Sequence, residues 1–366
     1  MDFPTDKKAI ESLVANIDIS GYAKTRNFKN GNVSMLSPYI SRGVISLSQI
    51  IEVIKNKSFE FHDKEKFFQE LAWREYWQHL WVFYGDKINQ DLKKQQPDVC
   101  NEGLSDNIIK GTTGINAIDT GIKKLYQTGY MHNHMRMYVS SIACNISKSH
   151  WKTPSKWMYY HLLDADWASN ALSWQWVAAA NSGKKYFANQ SNINHFFNDD
   201  QSNTFLDVEY EEFDNIETPD ELKNIIKPDL ETPLPKSENI IINKSQPTYI
   251  YDLYNLDYNW GTDIKSNRIL FFNTEVFTEY PVSEKLIKFV LNLSENIPNI
   301  QVFVGNTAEL KTIIHENQLH SKEHPLNKIK GNIHQRDWLV HPNVEEKKLK
   351  SFFKFWNSYK KQILHG

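Results

Sequence analysis

Cysteine is almost missing from this sequence: the 366 residues contain only Cys100 and Cys144. Two thiols cannot build a disulfide framework, and they are too few for a four-thiolate zinc or iron–sulfur site. A reducing compartment fits. Long apolar runs are missing too. None would span a bilayer, and the N-terminal MDFPTDKKAIESLV has no apolar core of a secretion signal. The expectation is a cytoplasmic protein with no membrane partner. The C-terminal part has no glycine-rich dinucleotide fingerprint or phosphate loop. No repeat or low-complexity tract is visible. A large net charge is also lacking, but the formal −2 hides an asymmetry. Residues 20–190 hold 21 Lys+Arg against 14 Asp+Glu, and the remainder holds 21 against 30. The basic half suits a polyanion partner, although a solvated mixed surface gives similar numbers.

Aromatics are abundant, and they are concentrated. Eight of the 11 Trp lie between Trp73 and Trp176. The densest stretch is Gly129 to Trp176, GYMHNHMRMYVSSIACNISKSHWKTPSKWMYYHLLDADWASNALSWQW. Asn133 and Arg136 are three apart on an expected helix and share a face. Asp164 and Asp166 follow at the end of an apolar helix, then Asn170, Trp174 and Trp176. Polar groups interleaved with Met, Tyr and Trp point to a pocket for one large, flat, partly polar ligand. A helical core with a few satisfied polar residues is the plainer alternative. Buried carboxylates weigh against it, because they are rare unless paired.

Along the chain, residues 6–16 read as a short helix. Ser37 and Pro38 open another, whose N-terminus would suit a phosphate or simply be capped. Residues 65–84, EKFFQELAWREYWQHLWVFY, form an aromatic helix with Glu70, Trp73, Arg74 and Trp77 on one arc. Glu70 and Arg74 are spaced as a favourable ion pair, expected to be buried. After an irregular 86–113, INAIDTGIKKLYQ makes a helix closed by Gly129. Residues 1–190 therefore read as an all-α domain. Residues 191–247 are acidic and Pro-containing, a linker or wrapping segment. Residues 248–366 alternate strand and helix, which gives a small α/β domain with parallel strands, ending in the basic helix NVEEKKLKSFFKFWNSYKKQIL. The fold class is multi-domain, all-α followed by α/β. The histidines His132, His134, His150 and His161 do not converge on one face, so no metal site is expected.

Four motifs in order, SMLSPYISRGVIS, FFQELAWREYWQHL, TGI…GYMHNHMRM and LLDADWASNALSWQW, resemble the flavin-binding helical domain of the DNA photolyase/cryptochrome family over residues 20 to about 190. The resemblance implies FAD. Ser34, Leu36 and Ser37 match the loop that holds the flavin phosphates. Tyr22 and Arg26 match the tyrosine and the DNA-facing arginine before it. Phe67 and Arg74 match cofactor contacts, as do Asn133 and Arg136 beside the ring, with Arg136 paired to Asp164. Asp166 matches the acceptor of the ring N–H, and Asn170 the residue at flavin N5. Trp174 and Trp151 match the inner and middle members of the electron-transfer chain. The outer Trp has no counterpart in 86–113.

Glu70 matches the glutamate that hydrogen-bonds a pyrimidine carbonyl in cyclobutane-dimer enzymes. Trp73 and Trp176 match the walls of the flipped dimer. Enzymes acting on (6-4) lesions carry histidines where this chain has Asn133 and Met137. The resemblance thus implies a photolyase-like carbon–carbon lyase that splits cyclobutane dimers in single- or double-stranded UV-damaged DNA, as a monomer. The alternative is a cryptochrome-type blue-light receptor without repair. The KKYFANQSNINHFF segment departs from the family pattern, and Lys184 and Lys185 are the expected replacements for a lost DNA contact. The usual N-terminal antenna domain has no counterpart, so no antenna chromophore is expected. The strand–helix order at the C-terminus permits a rearranged substitute.

Overall fold

The computed structural model describes residues 3–365, without the side chain of His365. In chain order the first helices are α1 (Lys7–Ala15), α2 (Ile19–Thr25), α3 (Ser37–Ser41), α4 (Leu47–Lys55) and α5 (Phe61–Tyr84). Strand β1 (Leu104–Ser105) precedes α6 (Asp106–Lys110), α7 (Asn116–Thr128), α8 (Asn133–Ser141), α9 (Lys152–His161), α10 (Trp167–Val177) and α11 (Gln190–Phe197). Then come β2 (Ile225–Ile226), β3 (Thr248–Tyr251), β4 (Asn267–Asn273), α12 (Thr274–Glu279), α13 (Glu284–Ser294), β5 (Ile300–Gly305) and α14 (Thr307–Ile313). Strands β6 (Leu319–Lys322) and β7 (Asn332–His334) precede α15 (Glu346–Leu349) and α16 (Phe352–His365).

The chain divides into two compact units. One comprises Met1–Ile19, Ser34–Val82 and Glu231–Gly366, and the other Ser20–Val33 and Phe83–Leu230. This division cuts across the boundaries drawn on composition. The first helices group with the C-terminal α/β part because their packing partners lie there, and no local signal marks such a pairing.

The Ser20–Val33/Phe83–Leu230 unit is helical, apart from the antiparallel β1–β2 ribbon. Helices α7 to α10 enclose Ile118, Ile122, Leu125, Met135, Val139, Trp157, Leu172 and Trp174, all buried. Gly129 ends α7 in the left-handed region at φ 70°, and a Cβ there would meet Leu163 Cγ at 2.5 Å. Its carbonyl accepts from Leu163 N at 2.8 Å, fixing the start of α8 against the α9–α10 turn. Helix α8 runs on into a wider turn over Ile142–Ile146, closed by Ser147 N to Ile142 O.

In the other unit the five strands β5-β4-β3-β6-β7 are all parallel. All seven residues of β4, NRILFFN, are buried, as expected of a strand covered on both faces. The flanking helices start on side-chain caps: Ser283 on α13, and Asn306 with Glu309 in a reciprocal box on α14. Residues 231–247 wrap this sheet, with Glu238 N bonded to Val302 O on edge strand β5. The helix opened by Ser37 and Pro38 lasts only five residues. Gly43, at φ 65°, breaks it where a Cβ would strike Tyr254 O at 2.5 Å, and α4 begins afresh on the Ser46 capping box.

Helix α5 is clamped by the segment after the sheet. Glu75 Oε1 accepts from Leu339 N at 2.8 Å and Val340 N at 3.3 Å. Arg336 donates to Gln78 Oε1 at 2.7 Å, and Tyr76 to Leu349 O at 2.9 Å. Trp338 stacks on His79 with centroids 4.3 Å apart. Glu75→Ala leaves one buried and one part-buried backbone donor without this acceptor and should cost about 2–4 kcal/mol in urea unfolding, while Glu75→Gln, which still accepts, costs less. A loss below about 0.5 kcal/mol for Glu75→Ala would rule the clamp out as a stabilising contact.

Candidate functional site

Three consecutive elements of the helical unit bring polar groups together in an apolar setting. Helix α8 begins on His132, whose Nδ1 accepts from His134 N at 3.2 Å. One turn later Arg136 donates from Nε to Met131 O at 2.8 Å, and from Nη2 to both Asp164 oxygens at 2.9 and 3.1 Å. Asp164 is 7% exposed, so a facing cation is what lets it keep its charge. Asp166 is 3% exposed and caps α10, accepting from Ser169 N at 2.9 Å. A turn further, Asn170 donates to Ser155 O at 2.8 Å and is 8% exposed. On the same turn, Ser169 Oγ is buried and makes no hydrogen bond.

This donor set fits a flavin ring. Asp166 is an acceptor for a ring N–H, Asn170 a carboxamide for a ring nitrogen, and Arg136 a cation for negative charge on the ring. Ser169 Oγ is a buried polar atom that a polar ligand would satisfy.

The other expected residues of this unit are scattered around the set. Asn133 is exposed and Met137 half-buried. Trp174 and Trp151 are buried, and Trp151 Nε1 donates to Asp91 Oδ1 at 2.7 Å. Asp91 carried no signal in the sequence, being 60 positions from its partner. Trp176, on the exposed side of α10, is 39% exposed and lies 6.0 Å from the Tyr186 ring. Arg26 sits over the Tyr22 ring at 5.9 Å. Lys184 is exposed, and Lys185 pairs with Asp98, whose carboxyl it holds below the usual range.

In the α/β-containing unit, Ser34 Oγ accepts from Leu36 N at 3.5 Å, Met35 between them is left-handed at φ 56°, and Ser37 opens α3. Phe67 is buried. Glu70 is half-buried rather than enclosed, and lies 3.3 Å from Lys66. Arg74 donates to Ser41 Oγ at 3.2 Å. Trp73 lies flat on Phe352, with centroids 3.6 Å apart and planes at 10°. Sequence reasoning missed Phe352 because it is remote in the chain and belongs to a helix with no readable role.

Burial pushes the His132 imidazole down to about 4, with a backbone hydrogen bond at Arg26 opposing it. The folded chain therefore favours the neutral ring. Its contribution to stability is complete above the ordinary value of 6.5 and is lost as pH falls toward about 4. His132→Asn keeps a side-chain cap and removes the titration. The drop in melting temperature between pH 7.5 and pH 5 should be smaller in this variant than in the wild type. Equal drops would mean that His132 does not titrate in this way.

Among the described residues no helix is long and apolar enough to cross a membrane. The family model for the FAD binding domain of DNA photolyase matches residues 67–255. The deoxyribodipyrimidine photo-lyase of Agrobacterium fabrum is 32% identical over 193 residues, 50% of this chain and 40% of that protein. The protein of the same name from Alkalihalophilus pseudofirmus is 29% identical over 165 residues, 44% of this chain and 34% of that one. A solved class III photolyase from Agrobacterium tumefaciens is 29% identical, covers 52% of this chain and 42% of that one, and has a TM-score of 0.45. The chain thus spans less than half the length of the curated relatives it matches. The family model takes in just over half of the 366 residues and includes Arg136, Asp164, Asp166 and Asn170. This chain belongs to the DNA photolyase family.

Proposed function

We propose that this protein splits cyclobutane pyrimidine dimers in DNA in a light-driven reaction with reduced FAD. The observation that carries the reading is the charge-paired Arg136–Asp164 couple beside the buried Asp166 and Asn170. FAD, when bound and reduced, supplies light absorption and a transferable electron. Arg136 holds a cation at the ring, Asp166 accepts from a ring N–H, and Asn170 orients a ring nitrogen. Ser34, Leu36 and Ser37 hold the phosphates, with Tyr22, Phe67, Arg74 and Asn133 as further contacts. Glu70 hydrogen-bonds a pyrimidine carbonyl of the lesion, so it acts on the yield of splitting more than on binding. Trp73 and Trp176 wall the extruded pair, whose stacking and pairing are already weakened. Trp174 and Trp151 carry electrons inward, and Arg26, Lys184 and Lys185 face phosphates. Two carbon–carbon bonds break with no net oxidation or reduction of the DNA.

A receptor that signals without repair is the second reading. It is favoured by one observation, the Phe352 ring lying over Trp73 where a base would stack.

Repair under light separates the two. The reduced protein is illuminated with a single-stranded oligonucleotide bearing one thymine dimer. Light-dependent dimer loss, absent in the dark, is expected, and Glu70→Ala should lower the yield severalfold with flavin still bound. Flavin binding without any dimer loss would replace the repair reading with the receptor reading.

Asp166→Asn keeps the helix cap and removes the charge. Flavin retention should fall at least tenfold while the melting temperature of the flavin-free protein stays unchanged. Full flavin occupancy in this variant would remove Asp166 from the binding set.

A further inference from the structure

In the parallel sheet the chain runs from β3 outward to β4 and β5, then returns to lay β6 on the other side of β3. These two strands pair at Thr248–Leu319 and Tyr249–His320 and part before their ends. Such a switch point, beyond the carboxyl ends of the strands, is where open parallel sheets hold ligands. A cavity of about 140 Å³ lies here, room for several waters or one compact ion. Asn255 after β3, His324 after β6, Arg74 on α5, and Arg336 and Trp338 line it. Ser34, Leu36 and Ser37, the loop assigned to the flavin phosphates, do not.

Four buried side-chain atoms on this lining make no hydrogen bond. Asn255 is 3% exposed, and both its Oδ1 and its Nδ2 are among them. His324 Nδ1 accepts from Leu326 N at 3.2 Å, which leaves the ring proton on the unpartnered Nε2. Trp338 Nε1 is the fourth. Native interiors leave few such atoms unpaired, and three of these four are donors. Burial, then the charges of Arg336, Arg42 and Arg74, push the His324 imidazole well below its ordinary value. Three guanidiniums therefore bear on the same space. The acids of the lining are taken up or turned out: Asp257 pairs with Lys322 at 2.9 Å, Glu75 accepts from Leu339 N and Val340 N, and Asp337 is exposed.

We propose that this cavity is a binding site for the hydrogen phosphate ion, independent of the repair reading. A compact oxyanion accepts from His324 Nε2, Trp338 Nε1 and Asn255 Nδ2 together, and its charge makes these bonds stronger than those to a neutral acceptor. The remaining atom, Asn255 Oδ1, accepts from the hydroxyl that hydrogen phosphate keeps at neutral pH. A cation would meet the guanidiniums instead.

The test titrates the full-length protein with sodium phosphate in a zwitterionic buffer at pH 7.5 and fixed ionic strength, read by calorimetry and by melting temperature. Saturable binding is expected, and the melting temperature should climb as phosphate is added. Trp338→Phe keeps a ring over His79 and removes one donor, so the dissociation constant should rise about tenfold or more. Asn255→Leu is close in shape and removes both amide atoms. It should weaken phosphate by a similar factor, yet melt no lower than the wild type without phosphate, because a buried unpaired amide is gone. Sulfate and glycerol 3-phosphate, whose phosphoryl or sulfuryl oxygens carry no proton at this pH, should each bind about tenfold more weakly or worse. No binding up to about 10 mM phosphate overturns the proposal. So does a wild-type dissociation constant in both variants, which would put the ion elsewhere on the protein. Sulfate or ester binding as tight as that of phosphate overturns it as well.

Discussion

A carboxylate shut away from water survives as an anion only while something positive faces it, and in this protein that constraint falls on Asp164. The Arg136 guanidinium meets both of its oxygens, and its third contact, to the Met131 carbonyl, holds the arm that reaches across. Breaking such a pair from one side costs about 3–5 kcal/mol, because the survivor is stranded. The geometry of the neighbours follows from it. Gly129 and Leu163 fix where α8 starts relative to the α9–α10 turn. Two residues on, Asp166 both starts α10 and stays available as an acceptor. The same carboxylate therefore serves the fold and the candidate site.

Much of this was legible from the residues alone. Gly129 is a helix stop, and the strand–helix alternation after residue 248 is a parallel sheet, because each rests on neighbours within a few positions. The flavin set needed the family resemblance, since nothing in spacing says which cation faces which acid. What stayed unreadable were contacts made at long range. Trp151 finds Asp91, Glu75 finds the backbone at Leu339, and Trp73 finds Phe352, across gaps that hydrophobic periodicity cannot bridge. Helix α5 also brings Lys66 to 3.3 Å from Glu70 and turns Arg74 toward Ser41, a residue of another helix that spacing alone does not reach.

Helix α5 illustrates how one element can answer to two demands. Its Phe67, Glu70, Trp73 and Arg74 are the positions that the family resemblance reads as functional. Its Glu75, Tyr76, Gln78 and His79 are held by residues 336–355. The segment after β7 and the helix that carries Glu70 are thus tied by hydrogen bonds and ring contacts.

The order in which these pieces can form also follows from the clamp. Tyr76 and Leu349 are 273 positions apart, Glu75 and Leu339 are 264 apart, and the helical stretch 83–230 lies between the partners. Contacts of such separation are slow to find, and chains rich in them fold late. During synthesis the 83–230 stretch leaves the ribosome as one continuous piece, with its interior partners already present. The α5 helix emerges earlier but must wait, its aromatic face uncovered, until the sheet and the residues after it have been made. An intermediate with one unit packed and the other open is the natural consequence, and its exposed Trp73, Tyr76 and Trp77 are where a chaperone would bind or where aggregation would begin.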